Sequence, residues 1–273
     1  MHPQVLIQEG KLAAALVALQ DLVRKDASNV KFRIFLFQLQ CVIGDWPRAL
    51  TQLNVAGELD AATLPMVQTY REAIQCEALR AEIFAGKRAP LIFGEPQPWL
   101  AQLITALQYD VSDPQHAADL RTQAFEAAPA IAGSIDGTPF AWLADADQRL
   151  GPVIEAIVNG RYFWIPLCRI RRIEIYAPTD LRDAVWTAAS FTWSNGASTV
   201  GLIPTRYIDS ASSTDDALRL ARRTEWVGEG GGRGLGQRMF ATDEADYALM
   251  DIRLIELDAA DDDSAEATTA NHG

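Results

Sequence analysis

Gly10 and Gly44 lie one 34-residue step apart, and the residues behind them repeat in kind: Gly10-Lys11-Leu12-Ala13-Ala14-Ala15-Leu16 against Gly44-Asp45-Trp46-Pro47-Arg48-Ala49-Leu50. That step is the period of helix–turn–helix repeats, whose helix pairs are too small to bury an apolar face alone and must stack on neighbours. The small residue at Ala15 and Ala49 recurs two periods on at Ala117, followed by Ala124 and Pro129 where such a repeat places its second small residue and closing proline. The front of the chain therefore reads as a helical array, an architecture that usually holds other proteins.

Within the array, Leu12, Ala15, Leu16, Leu19, Leu22 and Val23 fall on one helical face. Asp26-Ala27-Ser28-Asn29 supplies turn and cap residues, and a second helix is expected over about Val30–Ile43. Its stripe of Phe32, Phe35, Leu36, Leu39, Val42 and Ile43 is broadened by Ile34, Phe37 and Cys41, which implies contacts on two sides. Pro47 suits the first turn of a helix starting near Trp46, where a missing N–H costs nothing. One long helix follows over Thr63–Phe84, then a packed, irregular loop over residues 88–99, then a helix pair near Trp99–Gln108 and Pro114–Ala127.

After Ala132 the pattern changes to alternation. Val153, Glu155 and Ile157 alternate with Ile154, Ala156 and Val158, and Asn159-Gly160 then leads into Arg161–Ile165, a strong hairpin signal. A second hairpin joins Ser190–Trp193 to Thr199–Ile203, and further strands are expected at Ile170–Tyr176, Thr224–Val227, Gln237–Thr242 and Leu249–Leu257, with a short helix at Asp215–Arg222. Five of the seven tryptophans lie in this half, which suits a small antiparallel barrel or twisted sheet that packs them inside. The reading is an α+β chain: a TPR-like helical repeat domain over 1–131, a mainly antiparallel β domain over 132–257, each with its own core, and an acidic disordered tail over 258–273.

Composition narrows the function. A net charge of -12 argues against nucleic acid, which needs a cationic surface. Three scattered cysteines support neither a disulfide framework nor a zinc site and suit a reducing compartment. With no apolar run near the ~18 residues of a membrane span, the expectation is a cytoplasmic protein. His2, His116 and His272 are the only histidines, so the β half cannot by itself run a Ser-His-Asp or Cys-His relay.

Three groups in the β half nevertheless carry chemistry. Asp145 and Asp147, with Glu155 nearby, form either a carboxylate pair for acid–base or metal work or a capped turn leading into the hairpin. Gly228–Gly236 contains a phosphate-loop-like glycine spacing, but a strand rather than a helix follows, so a flexible hairpin loop is expected. Arg169, Arg171 and Arg172, and Arg219, Arg222 and Arg223, read as solvated faces paired with local acids or as a site for an acidic partner. In the array, the repeat register turns Lys31, Ile34, Gln38, Cys41 and Val42 into the groove, where an amphipathic helix would dock unless the chain's own Thr63–Phe84 fills it.

Several ordered peptides carry a resemblance. They are Tyr70-Arg71-Glu72-Ala73-Ile74 through Glu82-Ile83-Phe84-Ala85-Gly86, Pro90–Gly94, Phe140–Pro152, Asn159–Pro166, Gly201–Tyr207 and Ala221–Trp226. Together they resemble the ImpE family, also called TagJ or SciE-type, an accessory component of the bacterial type VI secretion system. The resemblance implies a cytoplasmic, non-enzymatic adaptor, without cofactor or metal. It further implies binding to the N-terminal helix of the small sheath subunit, TssB, and a link to sheath recycling by the ATPase ClpV. The rival expectation is a ligand-binding or enzymatic β domain built on Asp145, Asp147 and the arginines.

Overall fold

A computed structural model describes residues 2–228 and 232–258. The repeating glycines have a conformational reason. Gly10 and Gly44 take φ of +71° and +84°, and each ends a helix: Lys11 N donates to Leu6 O at 2.8 Å and Asp45 N to Gln40 O at 3.0 Å. These are left-handed helix closures, which a residue without a Cβ adopts at little cost.

The helices are α1 (Pro3–Gln8), α2 (Leu12–Lys25), α3 (Val30–Ile43), α4 (Trp46–Leu59) and α5 (Leu64–Phe84). Two more, α6 (Pro98–Tyr109) and α7 (Pro114–Ala127), form the next pair. Asn29 caps α3 through Phe32 N, and Asp45 caps α4 through Arg48 N, both at 3.3 Å. Ala15, Ala49, Ala117 and Ala124 are completely buried, because neighbouring helices approach closest where the side chain is smallest.

Between α5 and α6 the loop expected over residues 88–99 contains β1 (Leu91–Ile92). After α7 come β2 (Gly133–Ile135), β3 (Thr138–Phe140), β4 (Leu143–Asp145), β5 (Val153–Val158) and β6 (Arg161–Pro166). The β5–β6 turn is Asn159-Gly160 with φ of 49° and 71°, a twist that matches the strands on either side. Then follow β7 (Ile170–Ile175), β8 (Trp186–Trp193), β9 (Ser198–Pro204), a short α8 (Asp216–Arg219), β10 (Thr224–Val227), β11 (Arg233–Gly236), β12 (Met239–Thr242), β13 (Asp246–Ala248) and β14 (Leu254–Leu257).

Nine strands form one open sheet in the order β1-β6-β5-β9-β8-β7-β14-β2-β3, antiparallel throughout except for the β1–β6 pair. The fold is therefore α+β with a twisted sheet, not a closed barrel. Smaller sheets, β13-β12-β4 and the β10–β11 hairpin, lie beside it. Of the acidic tail only Asp258 is described; 259–273 lie outside the described residues.

The alternation in β5 decides where the core sits. Val153 and Ile157 join an apolar cluster with the helices, while Ile154, Ala156 and Val158 join a second cluster on the far face with Ile173, Phe191 and Phe240. The central strand is thus buried on both sides, and Glu155 is aimed at the helices with the odd-numbered residues. Trp164 and Trp186, both fully buried, also point that way, so these tryptophans fill the seam between the halves rather than a barrel interior. Tyr70 lies 5.6 Å from Trp186 and 5.8 Å from Phe37 between ring centroids, joining α3, α5 and β8.

Polar ties reinforce the seam. Arg206 donates to Val42 O at 2.6 Å and Cys41 O at 2.8 Å, and Arg222 donates to Ile7 O at 2.8 Å and Gln8 O at 2.9 Å. Both cap the C-terminal carbonyls of a helix, where a cation also meets the negative end of the helix dipole. Arg206→Ala leaves buried α3 carbonyls unsatisfied, at about 1–3 kcal/mol for each such group. The expected outcome is a loss of about 3 kcal/mol in a urea titration, against a near-neutral result for exposed Arg171→Ala.

Candidate functional site

The outer end of α3 borders a cleft of about 750 Å³ lined by His2, Gln4, Ile7 and Gln8 from α1 and its cap, by Lys31, Phe32, Ile34, Phe35 and Gln38 from α3, and by Thr179–Leu181. Its lining mixes apolar and polar side chains. Lys31 is exposed, Ile34 half-buried, and Gln38 7% exposed at the inner limit.

Cys41 and Val42 belong to the same helical face but are wholly buried. Their carbonyls hold Arg206, and the turn Leu181–Ala184 packs against α3. Burial pushes the Cys41 thiol well above its ordinary range. The expectation that these two line an open groove is therefore corrected: the deep end is filled by the β half, and the open surface stops at Gln38. Repeat register identifies the inward face of a helix without revealing what lies over it. Phe32 and Phe35 were marked by the breadth of the α3 stripe; the α1 residues and Thr179–Leu181 carried no comparable signal.

The carboxylates of the β half have a different fate. Glu155, 0% exposed, accepts from Arg80 Nε at 2.5 Å and Nη2 at 3.0 Å, and from Arg238 and the Tyr162 hydroxyl. Arg80 reaches on to Glu77 at 3.5 Å, and Glu77 accepts from Trp186 Nε1 at 2.9 Å. Asp145 is bound by Arg238 and by the Tyr207 hydroxyl at 3.0 Å, and also accepts from Asp147 N at 2.9 Å. Asp147 holds the backbone N and Nε of Arg149, each at 2.9 Å, its Nη2 at 2.6 Å, and Gly234 N at 2.9 Å. These are capped-turn and seam contacts. Asp145 borders an apolar cleft of about 350 Å³ beside Phe125 and Trp142, and its carboxylate is turned inward to Arg238 and Tyr207.

Protonation follows from the surroundings. Burial would raise Glu155, but the Arg80 and Arg238 guanidiniums prevail and hold it at about 2. At Asp145 burial prevails, reinforced by the adjacent Asp147, and lifts the carboxyl to about 7 despite Arg238. Burial lowers Arg206 to about 10, with the nearby Arg80 and Arg219 guanidiniums acting in the same direction.

Four of the arginine candidates, Arg172, Arg219, Arg222 and Arg223, are absorbed into the fold, whereas Arg171 is exposed. Arg219 donates to Ala211 O at 3.1 Å and Ile43 O at 3.3 Å, Arg223 pairs with Asp215 and Glu225, and Arg172 pairs with Glu174 and Glu256. Within the glycine-rich stretch Arg233–Gly236 is itself a strand, β11, paired with β10, so the expected loop over Gly228–Gly236 is shorter than read; residues 229–231 lie outside the described residues. Among the described residues no group of three His, Cys, Asp or Glu side chains is placed to hold a metal ion, and no helix is long and apolar enough to cross a membrane.

The ImpE protein family model matches residues 137–256, the stretch that carries Asp145, Asp147, Glu155, Arg206 and Arg238. A Pseudomonas aeruginosa protein, type VI secretion system accessory component TagJ, is 52% identical over 262 residues, covering 96% of this chain and 92% of the relative. The chain belongs to the ImpE family. The crystal structure of Vibrio parahaemolyticus protein VPA1032 superposes with a TM-score of 0.85 at 25% identity, covering 94% of this chain and 98% of that one. The ImpE match begins after the helices that line the cleft but includes its Thr179–Leu181 side, together with the seam's β-half carboxylates.

The buried carboxylates give this ImpE-family protein a pH signature. Asp145 binds its proton more tightly folded than unfolded, so its contribution to stability is largest near pH 4 and falls as pH rises toward about 7. Glu155 acts oppositely, losing its contribution as pH falls from about 4.5 toward about 2. Urea midpoints measured from pH 4 to 8 should show the first decline, and Asp145→Asn should flatten it.

Proposed function

We propose that this chain is a non-enzymatic cytoplasmic adaptor of the type VI secretion system that captures the N-terminal helix of the small sheath subunit TssB in the α1–α3 cleft and acts with ClpV in sheath recycling. The cleft is the observation that carries the reading: Ile7, Phe32, Ile34 and Phe35 line it together with the polar His2, Gln4, Gln8, Lys31 and Gln38, a mixed lining that suits the apolar stripe and polar flanks of an amphipathic helix. A Leu or Ile anchor fully buried there contributes about 1.5–3 kcal/mol. The 52% identical relative is a type VI secretion system accessory component, which supports the accessory role.

Lys31, Ile34 and Gln38 are the contact residues in this reading, with Phe32 and Phe35 beside them. The enzymatic alternative has little support, because Asp145, Asp147 and Glu155 spend their oxygens on arginine, tyrosine and backbone partners.

Ile34→Asp places a charge among the apolar side chains that line the cleft. Calorimetric titration with a synthetic TssB N-terminal helix should show affinity reduced at least a hundredfold, with an unchanged melting transition. Wild-type affinity in that variant would remove the cleft from the function.

A further inference from the structure

The cleft has a wall that the repeat architecture does not provide. Two sides come from α1 and α3, but Thr179, Asp180 and Leu181 close the third, and they arrive from the loop between β7 and β8. That loop is held firmly. The Asp183 carboxylate accepts from Thr179 N at 2.6 Å and Asp180 N at 2.9 Å, while the Asp180 carboxylate accepts from Arg182 N at 2.9 Å, a reciprocal cap. The buried Thr205 hydroxyl donates to Asp183 O at 2.6 Å, and the Arg182 guanidinium lies 4.8 Å over the Tyr70 ring. A wall ordered before binding spares the complex the entropy of fixing a loop.

The rim charges are unequal. Asp180 is paired with Arg182, whereas the exposed Lys31 enters no ion pair among the described residues. An acidic side chain on the flank of an incoming helix would find its complement there, setting orientation more than affinity.

Resting on the cleft reading above, we propose that Thr179–Leu181 is a recognition element, so that the partner helix is gripped between α3 and the β half. Leu181 meets one edge of its apolar stripe, and Lys31 meets an acidic residue on the other flank. Neither half alone presents the complete site.

A fluorescein-labelled peptide carrying the TssB N-terminal helix, titrated into the full chain and followed by anisotropy, tests this. Thr179→Trp fills the cleft from an exposed position outside the core. It should weaken binding at least tenfold with an unchanged circular-dichroism melt, and Leu181→Ala, whose side chain also packs on the apolar core, should weaken it at least fivefold. Should Leu181→Ala fail to fold, Thr179→Trp decides alone. Loss of binding in Ile34→Asp together with wild-type affinity in Thr179→Trp would overturn the role of the loop and leave the cleft standing. Wild-type affinity in Ile34→Asp would overturn the cleft and this proposal together.

Discussion

Two guanidiniums, Arg80 from the longest helix and Arg238 from the approach to β12, share the Glu155 carboxylate where none of the three side chains is more than 3% exposed. Taking such charges out of water costs several kcal/mol each, and their mutual attraction repays it only when the remaining donors and acceptors are satisfied. Here they are: Arg80 also reaches Arg206 O at 3.1 Å, Arg238 reaches Pro204 O at 2.9 Å, and Tyr162 and Trp164 extend the chain of bonds. The array supplies orientation more than net stability. A rotation of α5 on the sheet would strand a buried charge, so only one arrangement of helices on strands keeps every member paired.

The same seam governs the cleft. Arg206 and Arg219 hold the end of α3, and Arg222 holds the end of α1, all three from the β half. The two helices flanking the opening are therefore fixed by residues far away in sequence.

Legibility in the sequence followed the range of the interactions. Helix α3, the Asn159-Gly160 hairpin and the Thr224–Val227 strand were readable because periodicity, caps and turn chemistry act within a few residues. The two-residue β1 and the three-residue β2, β3 and β13 were not, since strands that short carry no period and exist only by pairing with distant partners. The candidate site divides in the same way. Lys31, Ile34 and Gln38 were reachable from repeat register, while the burial of Cys41 and Val42 depends on Arg206, whose side chain crosses from the other half. Arg219 and Arg222 looked like solvent-facing cations because a helix cap supplied from another part of the chain leaves no local pattern.

Leu91–Ile92 has a consequence for how the molecule divides. This stretch lies between α5 and α6, yet it pairs with Phe163 and Trp164 at the rim of the nine-stranded sheet, and Phe93 continues the contact by stacking 4.1 Å from Trp193. A stretch between two helices of the front half thus forms the sheet's outermost strand. Severing the polypeptide between α7 and β2 would strip β6 of its outer neighbour and bare its hydrogen-bonding edge, a template for sticking to other copies. The severed front piece would carry an orphan strand and a raw apolar flank. The molecule is better regarded as two interlocked layers than as beads on a string, and dissection into separately expressed pieces is the wrong tool for assigning its activities.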